Sequence, residues 1–102
     1  MDFTIKNIQD NALNISRKIG YLMLGAESSN VYNIVRKLSV NHYPRFHVYL
    51  KQNGYDYTFS LHLDQKAPIY QGTHAHNGEY EGPAVEDEAL RIKQILQNNE
   101  RY

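Results

Sequence analysis

Hydrophobic periodicity divides the chain into three stretches. Up to about residue 41 the apolar positions recur every three or four residues, between 45 and 64 every second residue, and from 83 onward at helical spacing again. Ile8, Ala12, Ile15 and Ile19 fall on one face of a 3.6-residue helix. Thr4 or Asn7 could cap its start. Gly20 offers an exit, unless the apolar run from Tyr21 to Leu24 carries the helix on to Gly25. Val31, Ile34, Val35 and Leu38 repeat the spacing and predict a second helix. It would begin after Ser28, Ser29 or Asn30 and stop before Pro44.

The middle stretch reads as a hairpin. Phe46, Val48 and Leu50 alternate with His47, Tyr49 and Lys51. Beyond Gln52-Asn53-Gly54, the residues Tyr55, Tyr57, Phe59, Leu61 and Leu63 alternate with Asp56, Thr58, Ser60, His62 and Asp64. A two-residue type I′ turn at Asn53-Gly54 sets Leu50 against Tyr57, Val48 against Phe59 and Phe46 against Leu61 on an apolar face that also takes Tyr55. The polar face then pairs Tyr49 with Thr58, His47 with Ser60 and Arg45 with His62. Pro68 to His76 supplies a third strand, weakened by Gly72.

Gly82-Pro83 breaks the chain and starts a C-terminal helix. Val85, Ala89, Ile92 and Leu96 are its stripe, widened by Leu90 and Ile95. Glu86, Asp87 and Glu88 sit where the helix dipole favours negative charge. The expected fold is α+β, one domain over residues 1–102. N-terminal helices precede a central antiparallel sheet built on the 45–64 hairpin, with a third strand, and the C-terminal helix packs on the sheet. Helices on one face leave a polar face open, and function is expected there.

Composition narrows the chemistry. The 102 residues contain no cysteine, which excludes disulfides, thiolate zinc sites and iron–sulfur clusters. Histidine and carboxylate ligation stays open. Eleven basic residues balance eleven acidic ones, so no global field draws in nucleic acid. The charges are unevenly placed, however. Arg36, Lys37, Arg45 and Lys51 lie in a stretch without acidic residues, and Glu79 to Glu88 holds acidic residues without basic ones. This suits a basic face meeting phosphate, complementary patches in a homodimer, or a solvated surface. No secretory leader or membrane-spanning run is expected, so the default location is cytoplasmic.

The candidate chemistry rests on histidine. His62 and Asp64 are two apart on a strand and share the polar face with Arg45, His47 and Tyr49. His74 and His76 are likewise two apart. Placing their strand beside the hairpin would gather His62, Asp64, His74 and His76 as ligands for a divalent transition metal, zinc or manganese first. Without metal, His47 and His62 could serve as acid and base on a phosphodiester, with Lys66 or Arg45 stabilising phosphoryl charge. Tyrosines near these histidines offer stacking surfaces or core edges. No glycine-rich phosphate loop and no serine or cysteine nucleophile motif is present. Two functional expectations follow. One is a small phosphoesterase or nuclease-like hydrolase acting on nucleic acid or nucleotide phosphate. The other is a non-catalytic, self-associating assembly protein with a protein partner, in which any metal is structural.

Overall fold

A computed structural model describes residues 1–66 and 78–98. The fold is α+β: an antiparallel sheet flanked by two helices. The elements are β1 (Asp2–Ile5), α1 (Ala12–Lys18), β2 (Leu22–Ala26), β3 (Val31–Lys37), β4 (Arg45–Asn53), β5 (Asp56–Asp64), β6 (Gly78–Glu79) and α2 (Pro83–Asn98). The strand order is β1-β5-β4-β3-β2, and the short β6 continues the β1 side by pairing with the end of β5.

The first apolar stripe is buried as its spacing predicts, but the helix beneath it is short. Asn11, not Thr4 or Asn7, caps α1 by accepting from the Asn14 N–H. Thr4 belongs to β1, a strand the helical periodicity hid. At the other end, Gly20 has a φ of 82°. The Gly20 N–H bonds to Arg17 O, and the Tyr21 N–H to Ser16 O. This Schellman arrangement ends the helix there and excludes the extension to Gly25. It also turns Tyr21 into the core at the mouth of β2.

The second predicted helix is instead strand β3. A stripe at i, i+3 and i+4 does not distinguish a helix from a strand buried on both faces. Ile34 and Val35 are adjacent and both buried, Ile34 in the core under the helices and Val35 among side chains of the opposite face, so neither side of β3 reads as polar. β-branched Val31, Ile34 and Val35 suit this extended form. β3 pairs with β4 along its whole length, placing Ile34 opposite Val48 and Val35 opposite His47.

The hairpin keeps its predicted faces and changes its register. The turn residues are Gly54 and Tyr55, between the paired Asn53 and Asp56. Only Gly54 has positive φ, at 66°, as the first position of a II′ turn requires. The partners therefore slide by two: Leu50 faces Phe59, Val48 faces Leu61 and Phe46 faces Leu63. A slide of two preserves inward and outward faces. Tyr55 moves from the expected core to an exposed turn.

α1 and α2 cover the same face of the sheet. Val85, Ala89, Ile92 and Leu96 join Ile15, Ile19, Val48, Leu50, Phe59 and Leu61 in one core; Leu90 stays exposed. Across that layer Glu88 of α2 accepts from Tyr21 Oη at 2.6 Å, from Arg91 at 2.8 and 2.9 Å, and from Arg36 of β3 at 3.3 Å. One member of the basic stretch thus meets one of the acidic stretch inside the chain. The expected strand at Pro68 to His76 lies outside the described residues. No helix among those described is long and apolar enough to cross a membrane.

Candidate metal centre

The register slide builds the site. It places His47 directly opposite His62, and Arg45 opposite Asp64, on the sheet face away from the helices. His62 Nε2 lies 2.9 Å from Asp64 Oδ1, and His47 Nδ1 lies 3.6 Å from Oδ2. One donor atom from each of His47, His62 and Asp64 can be chosen so that all lie within 4.8 Å of one another. Ligand atoms about 2.0–2.2 Å from zinc stand about 3.3–3.6 Å apart in a tetrahedron.

Both imidazoles are held neutral, and His47 also presents a free nitrogen. Burial, followed by repulsion from His62, pushes the His47 pKa down to about 4. Burial also pushes His62 downward, against the pull of Asp64. Both are therefore neutral near pH 7; His62 holds its proton on Nε2, which donates to Asp64 Oδ1, so ligation through that atom must first move this proton. Asn33 fixes which His47 nitrogen is free. Its Nδ2 donates to Glu27 Oε1 at 2.6 Å, and since a carboxylate only accepts, its Oδ1 must face His47 Nε2, at 2.9 Å. Nε2 then carries the proton, and the Nδ1 lone pair points toward Asp64. Metal-bound histidines characteristically use such a hydrogen bond to fix their tautomer.

The surroundings are aromatic and cationic. Tyr49 and Tyr80 stand 4.6 Å from the His47 ring and 5.1 Å from the His62 ring respectively, and the two imidazoles are 4.7 Å apart. Burial raises the Tyr49 hydroxyl pKa, so it stays protonated. Arg45 Nε is 3.4 Å from Asp64 Oδ2, and its guanidinium lies 4.6 Å above the Tyr43 ring.

Arg45, His47, His62 and Asp64 are thus brought together. Lys66 is exposed, two residues beyond Asp64. His74 and His76 lie outside the described residues. Sequence reasoning placed His47 near the chemistry but outside the ligand set, because a turn one residue earlier in the chain set it opposite Ser60. It missed Asn33, which carries no signal while β3 is read as a helix. No protein-family model matches the chain, and no curated protein or solved structure is significantly similar to it.

Proposed function

We propose that the chain is a small metal-dependent phosphoesterase. His47, His62 and Asp64 hold zinc or manganese; Arg45 and the exposed Lys66 receive the phosphate. The observation that carries this reading is the cluster itself: two imidazoles held neutral and one carboxylate, on the uncovered face, beside a guanidinium. Three protein donors leave coordination room for water and substrate, as in catalytic rather than closed structural zinc sites. When bound, the ion would lower the pKa of a coordinated water and neutralise phosphoryl charge. The chain contributes the rest. Asn33 fixes His47, and the hairpin register fixes His62 against Asp64. Arg45 stabilises charge on the phosphoryl oxygens as water oxygen bonds to phosphorus and the P–O bond to the alcohol breaks. His74 and His76 are proposed as further donors; with both engaged, an open position requires a six-coordinate ion such as manganese, and substitution of each separates this from the three-donor site.

A second reading draws on the sheet edge. β2 is an edge strand with Leu22 and Leu24 exposed, and open apolar edges favour self-association. The metal would then be structural.

The test begins with elemental analysis of untagged, natively purified protein. Hydrolysis of p-nitrophenyl phosphate and bis-p-nitrophenyl phosphate is then measured with and without EDTA. The expected result is about one metal per chain, activity lost in EDTA and restored by zinc or manganese, and no activity in His62→Ala. A metal-free protein with no uptake, or EDTA-resistant activity, rejects the reading.

A further inference from the structure

A hollow lies between the cluster and the β2 edge. This cavity of about 430 Å³ is lined by Leu22, Leu24, Val35, Lys37, His42 and Arg45, with Gly20 and Arg36 also in the lining. The register fixes its layout. Leu22 is opposite Val35, Val35 opposite His47, and Lys37 opposite Arg45. The leucine wall is therefore two strands from His47, roughly 10 Å at the usual strand spacing. Arg45 belongs to both places, since it lines the cavity and contacts Asp64.

The lining is asymmetric. Lys37 and Arg45, paired across β3 and β4, line one end of it along the strand direction, and Leu22, Leu24 and Val35 line the other. Among the described residues no carboxylate lines the cavity. Lys37 makes no ion pair among the described residues, whereas the Arg36 guanidinium is engaged by Glu88 on the opposite face. The two leucines are 64% and 53% exposed, a cost in water that a bound apolar group would remove. Two cations at one end of an apolar trough match a dianionic head on a compact apolar body.

We infer that this cavity selects the substrate: a phosphomonoester of a compact apolar or aromatic alcohol, its phosphate between Lys37 and Arg45 and its body against Leu22, Leu24 and Val35. This rests on the phosphoesterase reading and names the substrate class of the same site. It excludes a polymeric substrate as the preferred one, because the trough holds a single small body.

The probe is 1-naphthylmethylphosphonate, whose P–C bond is not hydrolysed, titrated into the full chain as purified and after EDTA. Methylphosphonate supplies the head alone. The naphthyl compound is expected to bind at least about tenfold more tightly. Lys37→Gln and Leu24→Ser should each weaken it about tenfold, with circular dichroism unchanged because both side chains are exposed. Equal affinity for the two phosphonates, or unchanged affinity in both variants, overturns the assignment. So does a dimer that Leu24→Ser dissociates without altering probe binding, which would give the wall to a second copy. Tighter binding of a short oligonucleotide overturns it as well. The two readings separate on turnover. Selective binding without phosphatase activity after reloading zinc or manganese supports the cavity and rejects the hydrolase. Equal kcat/KM for naphthyl and methyl phosphates supports the hydrolase and rejects the cavity.

Discussion

Asp64 and Glu88 are two carboxylates sheltered on opposite faces of one sheet, and their partners differ in kind. The Glu88 oxygens accept from two guanidinium groups and a tyrosine hydroxyl, in contacts of 2.6 to 3.3 Å. Its side chain is 3% exposed. The Glu88 charge is met by permanent cations, and its lone pairs are used. Asp64 is 20% exposed and faces two imidazoles that burial holds neutral, with one guanidinium nitrogen at 3.4 Å. Its charge is only partly met. The first arrangement locks a helix to a sheet; the second leaves room for a cation. Carboxylate identity does not decide between structure and chemistry; the permanence of the neighbouring positive charge does.

Exchanging the two roles by mutation is the sharpest test. Asp64→Asn should lower metal affinity by about a hundredfold or more, because it removes the anionic donor of the cluster. The fold should persist, because the amide is nearly isosteric. Glu88→Ala should do the reverse. Metal stoichiometry should hold while stability falls by about 3 kcal/mol, at the lower end for a broken buried ion pair because Arg36 and Arg91 are each about a third exposed. Isothermal titration with zinc and urea denaturation of both variants decide this. If Glu88→Ala loses metal and Asp64→Asn does not, the distinction drawn here is wrong.

Acid should also separate the two faces. The folded-state pKa of His47 is about 4, below its ordinary 6.5, and His62 is displaced in the same direction. Below pH 6.5 the unfolded chain takes up protons that the folded chain refuses, so stability falls as pH drops toward 4. Between pH 7 and 5 the loss should be about 2 kcal/mol, measured by urea denaturation, and smaller in His47→Gln. Asp10 acts in a lower window. Its hydrogen bond to Lys18 and contacts with Asn14 and Asn11 hold its pKa at about 2, so its contribution is lost as pH falls from 3.8 toward 2. Saturating zinc should raise stability throughout the upper window without flattening it, because the folded histidines stay unprotonated while the unfolded chain still takes up protons, and should leave the shape of the lower one unchanged.

The helix-covered face was far more legible in the sequence than the open one. Val48, Leu50, Phe59 and Leu61 announce their face by alternation alone, and a register error of two leaves that conclusion intact. The candidate site has no such tolerance. His47 meets His62 only because Gly54, rather than Asn53, opens the turn, and alternation carries no information about that choice. β3 was illegible for a different reason. Its burial on both faces removes the period of two, so Val31, Ile34 and Val35 imitate a helical stripe. Glu88 was read as a dipole-favoured residue because the partners that bury it, Tyr21 and Arg36, are distant in sequence. Local patterns report local geometry; both carboxylate sites are made by contacts the chain must fold to create.

Asn33 sharpens the comparison most finely, because it touches no ligand position on Asp64 and alters only the readiness of His47. With Asn33 in place, Nε2 is held as the protonated nitrogen and Nδ1 is presented. In Asn33→Ala the ring can adopt either tautomer and turn about χ2, so ligation must order it first. The expected effect is about a tenfold loss of metal affinity, the lower end for a group acting through a ligand. Asn33→Asp keeps an acceptor on Nε2 but sets a second carboxylate against Glu27, which now receives the Asn33 amide. It should recover part of the affinity, with the recovery growing as salt screens the Glu27 repulsion. A purely structural role for Asn33 predicts no rescue and no salt dependence. Glu88→Ala should leave affinity unmoved, because its network meets the sheet from the other side.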